Sequence, residues 1–512
     1  MSLESKTQKI IDNFKTLRKR LILDGVLIGI ISGSLAVMYR FMLTYLSNLR
    51  LYFFKNLHPL IIILCFAFFG YIAGLLLKWS PLSSGSGIPQ IEGELLGVMN
   101  MKPVRVMISK FIGGGLGNLS GLSLGREGPS IQIGGAAAKV LAKIMKKDIN
   151  EQRFMITAGA SAGLAAAFNA PFSGTIFTLE EMHKNFSPLV LVPCIIASVV
   201  ADFISKNVFG LNPSFYFITL ENHLPLQDYW HIILLGILTS ILGVIFNYSI
   251  LKAQDFFKLI KLPKEIKIII PFILSVFIGY EFYSVLGGGH SLVEEICKNP
   301  ITIWTLCILI TLKLLFTAIS YGSGTQGGIF LPVLVLGALS GALYYSIAFK
   351  LNIISQEYMN TFIILAMAGI LTAVVRSPIL SIMLVTEMVG SFSYMLSFCL
   401  VTAVSYEVAE SLGSKPIYDS LLERMLHTKV TEDTDAEEEK VIFTHRIFAS
   451  STLVNKKVSG INLPENCLLV SLKRGEDEFI PHGETLIKPM DFVTILCDKK
   501  YLAETERFFM NS

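Results

Sequence analysis

The sequence predicts an all-α, polytopic membrane protein with interrupted helices, followed by a small α+β domain. Of its 512 residues, 52% are hydrophobic and only 16% are charged, and the mean hydropathy is +0.60. These values lie far from those of ordinary soluble enzymes. Apolar segments follow one another from about residue 25 to residue 412, separated by short polar breaks. After residue 422 the composition becomes that of a soluble domain.

The N-terminal segment, residues 1–24, is polar and basic. Its positively charged residues are Lys6, Lys9, Lys15, Arg18, Lys19 and Arg20. This charge is too high for a cleaved signal peptide, and the positive-inside rule predicts a cytoplasmic N-terminus. The formal net charge of the whole chain is only +4, which gives no reason to expect a nucleic-acid partner.

The apolar segments that follow differ in length. Residues 231–250 and 301–321 are long enough to cross a hydrocarbon core of roughly 30 Å, which takes about 20 helical residues. Residues 129–142 and 378–389 are too short. A mixture of full spans and half-spans is typical of transporters that are built from broken helices.

Three segments rich in glycine and proline interrupt the apolar sequence. They are Gly85-Ser-Gly-Ile-Pro89, Gly125-Arg-Glu-Gly-Pro129 and Gly328-Ile-Phe-Leu-Pro332. Irregular backbone at membrane depth must be buried in protein or line a cavity. A helix that begins at such a turn has unpaired N–H groups and a positive partial charge at that end, and anions bind there. With the Ser86 hydroxyl and the Glu127 carboxylate nearby, these segments predict an anion pathway.

Weak internal repetition supports a duplicated architecture. The same spacing of glycine, proline and glycine occurs in Gly125, Pro129 and Gly134 and again in Gly328, Pro332 and Gly337. Residues 171–180 and 378–387 each begin with proline and end with glutamate. We therefore expect two halves, residues 24–207 and 223–412. The repeat itself leaves open whether they are parallel or inverted, since transporters use both arrangements.

The remaining patterns argue against a metal, a cofactor or an enzyme. The seven cysteines are scattered without a CxxC pair, so we expect reduced thiols with neither a disulfide framework nor a zinc site. The membrane part contains no Ser/His dyad, no HExxH motif and no TVGYG filter. An intramembrane enzyme and a potassium-channel subunit are therefore both disfavoured.

Beyond the membrane part, an acidic run predicts an exposed linker over residues 427–438. Short apolar runs bounded by turn residues then predict a β-rich domain over residues 439–512. The runs expected as strands are residues 467–472, 479–480 and 492–496. A terminal helix is expected over residues 500–510.

The three interrupted segments, in this order and spacing, resemble the CLC family of chloride channels and proton/chloride exchangers. Residues 159–171 and 415–418 (Lys-Pro-Ile-Tyr) extend the resemblance, which covers about residues 21–426. It implies an inverted-repeat bundle over residues 1–426. It also implies a homodimer with one pathway per subunit, and a multi-pass protein of the plasma (bacterial inner) membrane with both termini in the cytoplasm.

The resemblance also implies roles for individual residues. Ser86 and Tyr418 match the residues whose hydroxyls donate to a central chloride and form its inner gate. Ile329 and Phe330 match those whose backbone amides complete that site. The surrounding backbone of the anion pathway would be formed by Gly85, Gly87, Gly125, Arg126 and Gly128.

Two carboxylates match the proton-handling residues of the exchangers. Glu127 corresponds to the external gating glutamate, which competes with chloride when ionised and leaves the site when protonated. Glu181 corresponds to the inner proton-transfer glutamate, a position where channels of the family usually lack an acid. Lys110 falls where the family has a buried lysine, and we expect only electrostatic support from it. Chloride/proton exchange is the favoured function.

Plainer interpretations of the same residues remain open. A passive chloride channel would have the same fold, and a carboxylate at position 181 does not by itself prove proton coupling. Glu181 could also be a solvated charge at a helix end. Glycine-rich turns can simply allow helices to pack closely.

The C-terminal region resembles a TrkA-C (RCK C-terminal) domain rather than the paired nucleotide-binding modules of many CLC relatives. The resemblance is carried by residues 458–467, 469–475, 480–483 and 491–493. It implies cytoplasmic regulation through domain dimerisation or a small regulatory ligand. A passive assembly domain is the alternative.

Overall fold

The structure is a computed structural model of the chain. The residues that it describes are 3–184, 186–215, 224–299, 301–432, 440–447, 451–464, 467–474, 477–489, 491–498, 501, 504–505 and 508–509. The chain divides into two compact units, residues 1–421 and 422–512.

The described part of the first unit is built from helices. The helices of its first half are α1 (Leu3–Asn56), α2 (Pro59–Trp79), α3 (Ile88–Leu95), α4 (Pro103–Leu119), α5 (Glu127–Ile144), α6 (Ile149–Phe168), α7 (Pro171–Phe177) and α8 (Pro188–Phe209). Between α7 and α8 lies a π-helical turn, Thr178–Met182. A polar N-terminal segment was expected before the first span, and in the structure it is continuous with that span in α1.

The second half repeats this succession of long and short helices. Its helices are α9 (Trp230–Leu259), α10 (Lys264–Lys267), α11 (Ile269–Glu281), α12 (His290–Lys298), α13 (Ile303–Gly322), α14 (Phe330–Lys350), α15 (Met359–Val375), α16 (Pro378–Val389), α17 (Met395–Ser411) and α18 (Ile417–Glu432). The predicted linker over residues 427–438 begins inside α18, which continues to Glu432, and its remainder lies outside the described residues.

Among the described residues, six helical segments are long and apolar enough to cross a membrane. They are Arg20–Asn56, Pro59–Trp79, Pro188–Phe209, Leu226–Leu259, Ile303–Gly322 and Phe330–Lys350. The predicted full spans at 231–250 and 301–321 fall on two of them. The predicted half-span at 378–389 is α16, with 12 residues.

The two halves share an approximate twofold relation. Gly125 and Gly328, the first residues of equivalent motifs, form an isolated antiparallel bridge. The Gly125 N–H donates to the Gly328 carbonyl at 2.6 Å, and the Gly328 N–H donates to the Gly125 carbonyl at 2.8 Å. Helix α3 follows Gly87 at φ 94°, and α12 follows Gly289 at φ 93°. Glycine adopts this left-handed conformation without steric cost, so the same turn starts a short helix in each half.

Helix ends repeat in the same way. Asn169 ends α6 with φ 57°, and Arg376 ends α15 with φ 70°. Each is followed two residues later by a proline that begins the next short helix, Pro171 of α7 or Pro378 of α16. Proline is favoured there because its missing N–H would have no helical partner. Each half therefore has a short helix that begins directly after a left-handed helix end.

The C-terminal unit contains a four-stranded antiparallel sheet of order β1-β4-β2-β3. Its strands are β1 (Lys440–Arg446), β2 (Cys467–Arg474), β3 (Asp477–Phe479) and β4 (Phe492–Asp498). Strands β2 and β4 contain the predicted runs 467–472 and 492–496, whereas β3 overlaps the predicted run 479–480 only at Phe479. Strand β1 was not predicted, because its apolar run directly follows the acidic segment. The predicted helix over residues 500–510 lies largely outside the described residues, although 504–505 and 508–509 are helical.

An ion pair between Arg474 and the buried Asp491 stabilises the loop that precedes β4. The Asp491 carboxylate, 0% exposed, accepts hydrogen bonds from Nε and Nη2 of Arg474, both at 2.8 Å, and from the Lys488 N–H at 2.7 Å. The bonds to Asp491 raise the pKa of Arg474. Burial lowers the pKa of His445 on β1, because it disfavours the charged imidazolium.

Candidate functional site

The structure brings the three interrupted segments together through their backbones. The Gly327 N–H donates to the Gly85 carbonyl at 2.9 Å, which joins the first segment to the third. The bridge between Gly125 and Gly328 joins the second to the third. Gly128 packs on Ser86 so closely that a Cβ at position 128 would lie 2.8 Å from the Ser86 carbonyl oxygen. Only glycine fits there, and the predicted backbone residues therefore form one cluster.

Helix N-termini converge on this cluster. Helix α3 begins directly after Gly87, α5 begins at Glu127, and α14 begins at Phe330. Ile329 and Phe330 are 0% and 1% exposed. The first N–H groups of each helix lack intrahelical acceptors and carry positive partial charge. The cluster is thus suited to hold an anion without a formal cation.

Glu127 lies within this cluster. Its side chain is fully buried, and its carboxylate approaches the backbone N–H groups of Glu127 itself and of Leu331. Neither oxygen makes a well-aligned hydrogen bond within the described part of the chain. The Arg126 Nε lies 3.8 Å from Glu127 Oε1, beyond hydrogen-bond distance. A buried carboxylate with so few partners is costly, which favours a residue that changes its protonation or position.

Hydroxyl groups lie at the same cluster. Ser86 is 1% exposed, and its Oγ accepts from the Ile88 N–H at 3.3 Å. Tyr418, the second residue of α18, is fully buried, and its hydroxyl has no hydrogen-bond partner in the described part of the structure. The Tyr321 hydroxyl lies within hydrogen-bonding range of Ser86. Sequence reasoning missed Tyr321, because it ends an apolar helix that contains no motif.

Glu181 occupies the π-helical turn Thr178–Met182. It is 5% exposed, and its Oε2 accepts a hydrogen bond from the Ser377 Oγ at 2.6 Å. Turns of this kind occur frequently at functional sites. Glu181 and Glu127 both lie within electrostatic range of Tyr418. Ser377 was also missed, although it stands beside the repeated proline Pro378.

Two buried lysines support equivalent loops. The Lys110 Nζ donates to the Gly85 carbonyl at 2.5 Å. The Lys313 Nζ donates to the carbonyls of Val285 and Gly287 at 2.9 and 2.7 Å. Sequence reasoning found only the first lysine. The signal for the second was present, since each lysine precedes the bridging glycine of its half by 15 residues.

Two glutamates that ended the repeated segments form reciprocal caps. Glu387 accepts from the N–H groups of Phe172 and Ser173 at 3.1 and 2.7 Å, at the start of α7. In the other half, the Glu180 carboxylate accepts from the first N–H groups of α16, Ile379 at 3.2 Å and Leu380 at 2.7 Å. Each half thus caps a broken helix of the other.

No group of three or more His, Cys, Asp or Glu side chains within the described ranges could hold a metal ion. The groups that the structure brings together at the cluster are backbone amides, the hydroxyls of Ser86 and Tyr418, and the Glu127 carboxyl group.

Comparison with known proteins agrees with this geometry. Residues 69–410 match the voltage gated chloride channel family. The chain belongs to this family. Residues 442–510 match the TrkA-C domain. The predicted fold class, a CLC-type helical bundle with a small α+β domain, is confirmed.

Relatives match over most of the membrane part. The H(+)/Cl(-) exchange transporter ClcA of Vibrio parahaemolyticus is 33% identical over 433 residues, covering 81% of this chain and 91% of that protein. A crystal structure of a slow cyanobacterial Cl-/H+ antiporter superposes with a TM-score of 0.75 and 31% identity, covering 80% of this chain and 99% of that chain. A CLC-type fluoride/proton antiporter, 21% identical, shares the fold with a TM-score of 0.67 over 78% of this chain and 97% of its own.

Proposed function

We propose that the protein exchanges chloride for protons across the membrane, with Glu127 as the external gate and Glu181 as the internal proton-transfer acid. The observation that carries this proposal is the Glu127 carboxylate, which is fully buried at helix N-termini and has no well-aligned hydrogen bond to any described residue. The relatives named as H(+)/Cl(-) exchange transporter and Cl-/H+ antiporter support the same reaction.

Chloride binding would rest on neutral donors. In the proposed site the amides of Ile329 and Phe330 and the hydroxyls of Ser86 and Tyr418 donate to the ion. The Tyr418 hydroxyl, which is buried and has no hydrogen-bond partner among the described residues, supports this assignment. Partial charges bind an anion moderately and allow its release, as transport requires.

Coupling follows from competition between two anions. The ionised Glu127 carboxylate and chloride seek the same N–H groups, so protonation of Glu127 removes its charge and frees the site for chloride. Glu181 takes up or releases the proton on the inner side. An ionisable group at membrane depth is costly and usually marks a pathway, and Glu181 is buried with one side-chain hydrogen bond, from Ser377.

The setting is also part of the proposal. We infer a homodimer in a bacterial inner membrane, with one pathway per subunit and both termini in the cytoplasm. The basic residues in the N-terminal part of α1, between Lys6 and Arg20, support that orientation. The C-terminal sheet domain would regulate transport by binding a small ligand, which its match to the TrkA-C domain supports.

The test is flux from liposomes that contain the purified protein. A chloride gradient should drive protons uphill. Glu127→Ala should abolish proton movement while chloride continues, and Glu181→Gln should suppress proton movement. Glu281→Gln, at the exposed end of α11, is the matched control and should change neither flux. Chloride flux without proton movement in the unmodified protein would instead identify a passive channel.

A further inference from the structure

Lys184 connects three elements near the proposed pathway: the turn that carries Glu181, helix α3 and helix α18. It lies three residues after Glu181 and takes a left-handed conformation, with φ 50°. Its Nζ lies 2.6 Å from Asp419 Oδ1 and 3.5 Å from Glu92 Oε1. One ammonium group thus contacts carboxylates on two other helices.

Each of these partners lies near a residue of the candidate site in the sequence. Asp419 directly follows Tyr418 at the start of α18. Glu92 lies on α3, which begins just after Ser86. Lys184 itself continues the turn that carries Glu181. The cluster of Glu92, Lys184 and Asp419, here named the inner latch, therefore joins the backbones that bear a proton acid, a gate hydroxyl and a chloride-binding hydroxyl.

The inner latch differs from an ordinary surface ion pair because one of its carboxylates is buried. The Glu92 side chain is only 7% exposed, whereas those of Lys184 and Asp419 are 36% and 34% exposed. A buried carboxylate requires a counterion, and Lys184 supplies it from the inner surface. Glu181 is within electrostatic range of all three members. Removal of the lysine would therefore leave two carboxylates without their counterion near Glu181 and free its turn from α18.

We propose that Lys184 is a positioning residue for the inner proton step, holding the Glu181 turn in register with the Tyr418 helix and balancing the charge of Glu92 and Asp419. This role rests on the proposed exchange function. Lys184 does not carry the proton and does not contact chloride. Its loss should therefore affect proton movement more than chloride movement.

The experiment measures protons moved per chloride in liposomes that contain the full chain. Lys184→Met should lower proton flux at least fivefold and leave chloride flux within about twofold, and Lys184→Arg, which keeps the charge, should restore the ratio. Asp419→Asn should act in the same direction, and the double variant should be no worse than Lys184→Met. Lys206→Met is the control, because Lys206 is similarly exposed at 31% and pairs with Asp202 at 2.7 Å.

The possible outcomes distinguish failure of this inference from failure of the proposed exchange function. An unchanged ratio in Lys184→Met and in Asp419→Asn, with coupled exchange in the unmodified protein, would overturn the latch and leave exchange intact. Equal loss of both fluxes, not rescued by Lys184→Arg, would also overturn it, since it would indicate a purely structural role. If Lys184→Met does not fold, the proton-to-chloride ratio of Asp419→Asn tests the proposal, because this variant weakens the ion pair between Lys184 and Asp419 by changing the carboxylate. Uncoupled chloride flux in the unmodified protein would refute the exchange function and the latch with it.

Discussion

The two halves of the membrane domain share a framework, whereas their chemistry differs. Each half has a left-handed glycine before a short helix, a buried lysine under the adjoining loop, and a glutamate that caps a helix of the other half. These pairs are Gly87 and Gly289, Lys110 and Lys313, and Glu180 and Glu387. The lysines and glutamates bond to backbone groups, with one further hydrogen bond to Glu387 from the Ser173 hydroxyl, so they hold the interrupted helices in place.

The residues that we propose for transport lack equivalents. When the halves are matched at the bridging glycines, at the left-handed glycines and at the capping glutamates, the first half has three reactive side chains where the second does not. Ser86 corresponds to Gly288, Glu127 to Phe330, and Glu181 to Met388. The second half contributes backbone amides and the Tyr418 hydroxyl. The duplication therefore accounts for the backbone framework that the two halves share. The three differences between the halves account for the position of the proposed proton acid in the first half.

The largest effect is expected when Glu181 is given the residue of the other half. Glu181→Met keeps the length of the side chain but replaces the carboxyl group with an apolar thioether, so uphill proton movement should fall by more than tenfold, equivalent to ~1.4 kcal/mol or more. Chloride flux should continue. Proton and chloride fluxes measured together on the same liposomes check this.

Met388→Leu is the matched control in the second half, since it changes a buried residue of α16 without changing charge. It should leave proton coupling unchanged. Coupled exchange that survives in Glu181→Met would show that another group transfers the inner proton. The difference between Glu181 and Met388 would then not account for proton coupling.

Next in size is an added methyl group at two glycines of the cluster, Gly128 in the first half and Gly328 in the second. In Gly128→Ala the new Cβ would lie 2.8 Å from the Ser86 Cβ and carbonyl oxygen, whereas in Gly328→Ala the nearest atom is the Gly128 nitrogen at 3.1 Å. Overpacking costs about 1–3 kcal/mol. Because backbone cannot yield easily, we expect chloride flux to fall about tenfold in Gly128→Ala and severalfold less in Gly328→Ala, measured as initial chloride efflux. Equal losses would contradict the closer packing of the first half.

Local signals in the sequence predicted the framework well. Glycine and proline punctuate the chain wherever α3, α5 and α14 begin, and α16 has the predicted bounds of 378–389, because these residues determine backbone conformation directly. The spacing of prolines and glutamates likewise predicted the repeat.

Contacts between distant segments could not be predicted in this way. Ser377 donates to Glu181 across 196 positions, and Asp419 meets Lys184 across 235. Nothing in the neighbouring sequence indicates such pairs, because the fold alone brings them together. The role of Glu387 as a cap for α7 was invisible for the same reason. The roles of Glu127 and Glu181 came from the family resemblance, and geometry adds only their burial and their few partners.

A smaller effect is expected when Ser86 is replaced by the residue of the other half. Ser86→Gly removes one of the donors that we propose for chloride, and a hydrogen bond contributes about 1 kcal/mol net, so chloride affinity should fall about fivefold. The backbone should tolerate glycine there, as it does at Gly288. Calorimetric titration of the detergent-solubilised protein with chloride measures this.

Ser84→Ala provides the control for that titration, because the Ser84 hydroxyl donates to the Gly324 carbonyl at 3.0 Å and is not proposed to reach the ion. Chloride affinity should stay within about twofold of the unmodified protein. An equal loss in both variants would mean that the loop responds to any change, and the ligand role of Ser86 would fall.

The smallest effect on transport is expected at the shared caps. Glu180→Ala and Glu387→Ala each remove a carboxylate that accepts two helix N–H groups, which should lower the free energy of unfolding by about 1–2 kcal/mol, seen as a lower midpoint of thermal unfolding in detergent. Glutamine at either position keeps an acceptor and should recover most of the loss. The ratio of protons to chloride should change less than twofold in both alanine variants, because both glutamates hold backbone. If Glu180→Ala lost proton coupling while Glu387→Ala kept it, Glu180 would take part in proton transfer. It would then not be an equivalent of Glu387 that serves only as a helix cap.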